Sequence, residues 1–434
     1  MKSFRLLLRF LTVGGLVLLL LIPLALIRGL IGERESYRAQ AVQRVVQNNA
    51  GSQRFVGPLR VVPWTDTQTV TYVGDDGVTR NRVERSSGYS LQVPVSLDIV
   101  GRLEPRRLKS GLYEVPVYEW KAKLKAEFDD KLPLAANGVS REYGIPYLAF
   151  GISDVRGLVG TPVLRLDGAA LPLQAGTSEL KGLDGLHAML PAASDGKVGG
   201  HRVEMDFVLK GTQSLSVAPV GNGNHIVLGS PWPHPKFDGY SPRSETGPGG
   251  FNATWDISSL SSNIQSRMQA GDFDADSVKI GLIDPVDVYT LADRASKYGI
   301  LFVVLTFVGF GLFELIKRLP IHPLQYLLVG LALAIFFLLL LSLSEHVAFW
   351  QAYLASAAAC IGLQFVYLSG VLKSWLRASG FATMLTALYG VLYTLLLSED
   401  NALLMGSLLL FGILATIMWI TRKVDWYELG TSLR

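Results

Sequence analysis

Four side chains with acid–base capacity fall in two short polar turns of an otherwise apolar stretch: Glu345 with His346, and Glu399 with Asp400. A carboxylate beside an imidazole can shift its pKa and pass a proton, or serve as a pH-responsive contact. If both turns emerge on one side of a membrane, the four residues form one candidate functional cluster. Solvated helix ends, or helix N-terminal caps favoured by the dipole, account for the same residues more simply. Glu314 lies inside an apolar run one turn from Lys317, the spacing of an ordinary interfacial ion pair.

Other chemistry is sparse. His187, His201, His225 and His234 are scattered without the paired spacing of a zinc site, so no metal is expected. There is no Gly-x-Ser-x-Gly elbow and no phosphate-binding loop, and Gly309-Phe310-Gly311 sits in an apolar span where packing explains it. The expectation is a protein without cofactor and without enzymatic activity. Residues 229–250 are rich in proline and carry Trp232, Phe237 and Tyr240, which reads as an extended, turn-rich loop. Restricted aromatics supply contact area at modest entropic cost, which makes these three a candidate partner-binding loop. The competing reading tucks them under a sheet edge.

The elements that must position these residues are membrane helices. Five windows of about 20 apolar residues, the length that crosses a bilayer core, fall at 298–316, 324–343, 349–368, 378–397 and 402–421. The gaps between them are too short for folded domains, so the five pack as one bundle. Small residues such as Ala355, Ala357, Ala358 and Ala359, and the Gly309 and Gly311 pair, allow close helix approach. A further apolar run at 10–27 follows Lys2, Arg5 and Arg9 and lacks a small-x-small cleavage site, which favours an uncleaved anchor. Basic residues cluster at Lys317 and Arg318, Lys373 and Arg377, and Arg422 and Lys423, whereas the alternate loops hold only acids. The positive-inside rule then places segment 1–9 and the tail 422–434 in the cytoplasm and the acidic turns outside.

Between the anchor and the bundle lies 28–297, long enough to bury its own core. It holds 30 of the 40 basic and 30 of the 36 acidic residues, so it is formally neutral and the chain's +4 belongs to the membrane part. Nucleic acid is therefore not an expected partner; the bilayer is. Residues 33–47 read as a short helix continuing the anchor. Beyond them, alternation of Trp120, Ala122, Leu124, Ala126 and Phe128 with Lys121, Lys123, Lys125 and Glu127 has the period of a half-buried strand. Val203, Met205, Phe207 and Leu209 repeat it. Further strands are expected at 59–62, 70–73, 91–100, 163–166, 215–218, 225–228 and 278–283, with turns at Gly74-Asp75-Asp76-Gly77 and Gly221-Asn222-Gly223-Asn224. The sole cysteine, Cys360, falls in a membrane window, so no disulfide supports this domain. The fold class expected is a six-helix α-helical membrane bundle with a large, mainly antiparallel β domain, either a sandwich or a long curved sheet.

Several long motifs resemble one family. His322-Pro323-Leu324-Gln325-Tyr326-Leu327-Leu328-Val329-Gly330, Ser342-Leu343-Ser344-Glu345-His346 and Ala352-Tyr353-Leu354 look like the bacterial inner membrane protein family CreD, also called cell envelope integrity protein. So do Tyr143-Gly144-Ile145-Pro146-Tyr147 with Gly151-Ile152-Ser153-Asp154, the run from Gly111-Leu112-Tyr113-Glu114 to Val115-Pro116-Val117-Tyr118, Asp284-Pro285-Val286-Asp287, and Glu399-Asp400-Asn401-Ala402-Leu403-Leu404-Met405-Gly406. Asn401 departs from the tyrosine more usual there. The resemblance implies a Gram-negative inner membrane protein under the CreBC two-component system, linked to envelope integrity, colicin tolerance and β-lactam response. It implies no mechanism and no site residues. Two readings follow: a non-enzymatic envelope protein whose periplasmic domain recognises an envelope component or partner, and a transporter or intramembrane enzyme using the acidic and histidine cluster. Against the second, no ionisable residue falls near a bilayer midplane and no inverted repeat is visible.

Overall fold

The computed structural model describes residues 2–73, 75, 79–131, 135, 139–191, 199–273, 277–282, 288–317, 321–398 and 402–422. It divides into two compact units, Met1–Ala39 with Val286–Arg434, and Gln40–Pro285. The domain expected at 28–297 thus has its compact part at 40–285.

The second unit is a β-sandwich. One sheet contains β1 (Gln53–Val73), β2 (Thr79–Gln92), β5 (Ser140–Tyr143), β6 (Tyr147–Ile152), β9 (Gln174–Ala175), β10 (Gly185–Met189), β12 (Ser214–Val217), β14 (Pro235–Asp238) and β17 (Val278–Leu282). The other contains β3 (Ser96–Ser110), β4 (Tyr113–Phe128), β7 (Val163–Leu166), β8 (Ala169–Leu171), β11 (His201–Thr212), β13 (Gly223–Ser230), β15 (Arg243–Gly247) and β16 (Gly250–Ser258). Pairing is antiparallel except for β1 with β12 and β3 with β13. A short helix, α2 (Ile264–Gln269), precedes β17.

Alternation explains the core. In β4 every residue from Trp120 to Phe128 at even positions is buried and every odd one exposed, as a strand with one wet face requires. Phe55 of the first sheet stacks on Phe207 of the second at 5.0 Å and meets Trp120 edge-on at 5.9 Å, which joins the two sheets through one aromatic cluster. Gly101, mid-strand in β3, is where the Trp120 indole lies; a Cβ there would collide with it. Strand β6 is buried on both faces, because the segment after β9 covers its outer side: Leu183 packs on Gly151, and the Tyr147 hydroxyl accepts the Glu179 N–H at 3.2 Å.

The first unit is helical. Helix α1 (Lys2–Asn48) is unbroken, running through Pro23 and Arg28, so the anchor and the short helix expected after it are one element. Helices α3 (Val288–Lys317), α4 (Pro323–Ser344), α5 (Phe349–Val371), α6 (Trp375–Leu397) and α7 (Ala402–Thr421) follow. Helix α3 begins at Val288, ahead of the apolar window at 298. Among the described residues four helices, α1, α4, α5 and α6, are long and apolar enough to cross a membrane. Helices α3 to α6 pack as a closed ring, α3 touching both α4 and α6, with α7 against α6. Leu20 of α1 fills the space over Gly330 of α4, and Leu24 the space over Gly299 of α3. Of the alanines expected to bring helices together, Ala357 is buried while Ala355, Ala358 and Ala359 are exposed.

The motif around His322 is a helix start. Its Nδ1 accepts the Leu324 N–H at 3.3 Å, the Gln325 side chain accepts the His322 N–H at 3.1 Å, and Pro323 occupies the first helical position.

Candidate functional site

Glu345 is the C-cap of α4, not an N-cap. A carboxylate there meets the last, partly negative carbonyls of the helix, so the dipole opposes it and the capping explanation fails. Its side chain is nevertheless only 8% exposed. Two neighbours compensate: Arg34 of α1, with Nε 3.4 Å from Oε1, and Tyr289 of α3, whose hydroxyl donates to Oε1 at 3.3 Å. Arg28 and Lys297 both reach Asp293 on the same helices, at 3.7 and 2.6 Å. Three helices are thus tied at one end of the bundle by charge pairs that lipid cannot supply. His346 is exposed and stands outside these contacts. Glu399 and Asp400 lie outside the described residues, as does Asn401.

The Tyr326 hydroxyl donates to Glu314 Oε2 at 2.7 Å, while the side chain of Lys317, expected one turn away, lies outside the described residues. The residues missed by sequence reasoning are Arg34 and Tyr289. Arg34 sits in the segment read as a short helix, about two turns past the apolar run that ends at 27, and Tyr289 falls in the stretch 28–297 read as the β domain, so neither carried a signal of its own.

The aromatic segment is not a free loop. It contains the end of β13, all of β14 and all of β15, and its aromatics face inward. Trp232 is 7% exposed, with the Arg107 guanidinium 5.4 Å above its ring. Phe237 packs edge-on against Phe251 and Trp255 at 5.5 and 5.7 Å, and Tyr240 rests on the core while its carbonyl accepts the Trp255 indole N–H at 2.8 Å. Trp232 is buried, and Phe237 and Tyr240 are half-buried against the core, so much of their apolar area is taken up within the sandwich. Beside them runs an open polar groove of about 400 Å³, flanked by Arg102, Glu245 and Asn252.

A different element is presented instead. Among the described residues, β1 pairs only with β2 from Gln68 to Val73, opposite Glu84 to Thr79, and β2 has no other strand neighbour along its length. The two form a ribbon that projects beyond the sheet. Both faces are wet, yet Val73 is 68% exposed, Val83 61%, Tyr72 44% and Tyr89 42%. Of the expected turn at Gly74-Asp75-Asp76-Gly77 only Asp75 is among the described residues, and β2 was not legible as a strand, since Arg and Ser dominate it and no face alternates.

Two histidines of the sandwich, His201 and His225, make local pairs with carboxylates. His201 Nδ1 lies 2.8 Å from Asp167 and His225 Nδ1 2.7 Å from Asp256, which Arg243 also reaches at 3.1 Å. Among the described residues no group of three or more His, Cys, Asp or Glu is placed to hold a metal.

The Gly151-Ile152-Ser153-Asp154 motif is a clasp. Asp154 accepts the Gly51 N–H at 3.1 Å and the Arg156 side chain at 2.7 Å, and Arg156 donates in turn to the Gln47 carbonyl at 3.1 Å. Hydrogen bonding from Arg156 holds the Asp154 carboxyl below its ordinary value of 3.8, with the Gly51 N–H adding to it and partial burial opposing. A depressed folded-state pKa contributes stability above the unfolded value that is lost as pH falls through the folded one. Asp154→Asn is expected to cost about 1 kcal/mol at neutral pH, the worth of such hydrogen bonds. That difference from the parent should be complete above pH 3.8, shrink as pH falls below it and disappear only below the depressed folded-state value, as followed in denaturant melts.

The motifs given above are shared well beyond their own lengths. A model of the family described as inner membrane protein CreD matches residues 5–427. Inner membrane protein CreD of Escherichia coli (strain K12) is 38% identical over 421 residues, which cover 95% of this chain and 92% of that protein. With a helical unit apolar enough to lie in a membrane, a match over nearly its whole length and that degree of identity, the chain belongs to the CreD family of inner membrane proteins.

Proposed function

We propose that this protein supports the integrity of a Gram-negative cell envelope, by holding a periplasmic β-sandwich at the inner membrane where it recognises a protein of the envelope. In this reading α1 and α3 to α7 all cross the bilayer, both termini are cytoplasmic, expression is under CreBC control and no reaction is catalysed. The charge distribution supports the orientation: Lys2, Arg5, Arg9, Lys373, Arg377 and Arg422 fall at one set of ends, Glu345 at the other.

The observation that carries the recognition is the β1–β2 ribbon. An open strand edge offers unpaired N–H and C=O groups to an extended segment of another protein, and side chains such as Val73, Val83 and Tyr72 flank it. Arg80, Arg82 and Arg85 on β2 discourage indiscriminate pairing of the same edge. The partner is therefore a protein that contributes a strand, and the aromatic segment at Trp232 is scaffold. A deletion strain complemented with Val73→Asp/Val83→Asp is expected to keep its envelope-stress phenotype although the variant accumulates normally. Full rescue by that variant would remove the ribbon from the function.

The burial of Glu345 favours a second reading, transport or intramembrane chemistry through Glu345, His346, Glu399 and Asp400. It requires Glu345→Ala, His346→Ala, Glu399→Ala or Asp400→Ala to abolish complementation at normal abundance.

A further inference from the structure

The interior of the helix bundle holds hydrogen-bonding groups that the surrounding protein leaves unused. Ser356, Cys360 and Gln364 recur every four residues on α5 and so form one stripe along its buried face. They are 0%, 3% and 2% exposed. The Ser356 hydroxyl and both amide atoms of Gln364 are buried without a hydrogen-bond partner. So is the Tyr389 hydroxyl of α6, which lies beside the Cys360 thiol without a well-aligned hydrogen bond to it. Cys360 itself donates to the Ala332 carbonyl of α4 at 3.4 Å, so three helices border the stripe.

Ser356 is unusual among its neighbours. Ser369, Ser379, Thr383, Thr386, Thr394, Ser407 and Thr416 each return their hydroxyl to a carbonyl three or four residues back, the usual way a helix satisfies such a group in lipid. Ser356 does not, although carbonyls at the same spacing precede it. Its hydroxyl and the Gln364 amide therefore face the helix interface with donors and acceptors available. Unpaired polar groups in an apolar interior are costly, and lipid tails cannot relieve them.

We propose that the α4–α5–α6 interior is a hydrated groove in which a short file of water molecules joins Ser356, Tyr389 with Cys360, and Gln364. Eight residues of helix span about 12 Å, which asks for several waters in sequence. A water in such a file finds the two to four polar partners it needs from these side chains and from its neighbours. Every lining group is neutral, so the groove takes uncharged hydrogen-bonding guests and gives no ion a counter-charge. Cys360 lies eleven residues from either end of α5, so the file reaches the middle of that helix.

Cys360 is the only cysteine in the chain, which makes it a built-in reporter. Full-length protein in lipid vesicles is transferred to heavy water and the S–H stretch followed by infrared spectroscopy, with Cys360→Ser to identify the band. The expected result is conversion to S–D within minutes while the bundle's amide protons remain. A band that stays S–H until the protein is denatured would overturn the proposal. Ser356→Ala/Gln364→Leu, which keeps the helix apolar and foldable, is expected to slow thiol exchange at least tenfold without raising the melting temperature. A higher melting temperature with thiol exchange unchanged would mean that the amide sits unsatisfied in a dry core, and would also overturn it.

Discussion

Arg60→Ala is expected to lower the stability of the sandwich by about 3–5 kcal/mol, the range for stripping one partner from a buried charged network. Arg60 is completely buried in β1, within the apolar run Leu59 to Val62. Its Nε donates to Gln92 at 2.7 Å, Nη2 to the Asp129 carbonyl at 2.7 Å, and Nη1 to the Gly199 carbonyl at 3.3 Å, while the guanidinium stands 5.1 Å over the Phe128 ring. Burial pulls its pKa below the usual arginine value, and Asp129 and Asp130 pull it back. Substitution by alanine leaves two carbonyls and an amide oxygen desolvated and opens a cavity beside Phe128. Lysine restores the charge but not the fork, so Arg60→Lys should recover less than half of the loss. The check is denaturant unfolding of the full-length protein in detergent, followed by tryptophan fluorescence. A cost below about 1 kcal/mol, the worth of one ordinary hydrogen bond, would show that the network contributes little.

The second large effect lies in the bundle. Arg34→Leu leaves the Glu345 carboxylate 8% exposed at the negative end of α4 with only Tyr289 to meet it. The penalty is expected at about 2–3 kcal/mol, below the fully buried range because Arg34 itself is 41% exposed. Glu345→Gln in the same chain removes the stranded charge and should return most of that loss, giving a coupling of about 1–2 kcal/mol in the double-mutant cycle. Thermal melts of the four proteins in one lipid composition measure it. Strictly additive single changes would mean that the pair at 3.4 Å is incidental.

These two sites show what a sequence does and does not reveal. The even–odd alternation from Trp120 to Phe128 gives β4 its buried face and its C-terminal end, because strand geometry puts successive side chains on opposite sides, while the start at Tyr113 lies ahead of the pattern. The apolar windows place α4, α5 and α6 within a few residues, since few other things make twenty apolar residues in a row. Long-range pairing was invisible. Nothing in the Arg and Ser pattern of residues 79–92 says that they form one long strand against β1, and nothing near Arg34 points to Glu345. The proline-rich segment misleads for a related reason: Pro231, Pro233 and Pro242 lie outside strands as expected, but Pro235 opens β14, and β14 and β15 pair at sheet edges and carry Phe237 against the core. Glu345 was singled out for its type and neighbours, whereas its burial at a helix C-terminus comes from three helices meeting. Arg60, a charge inside the apolar run Leu59 to Val62, is the kind of exception that marks a built network.

The account rests on recognition through the β1–β2 ribbon, and the most direct measurement is site-specific photo-crosslinking in living cells. A photoreactive residue is placed at Val83 or Tyr72, which are 61% and 44% exposed, and for comparison at Leu260, which is 98% exposed on another part of the sandwich. The account predicts one discrete protein adduct from both ribbon positions, none from Leu260, and loss of the adduct when Val73→Asp is added. Equal, diffuse labelling from all three positions, or an adduct only from Leu260, would contradict it.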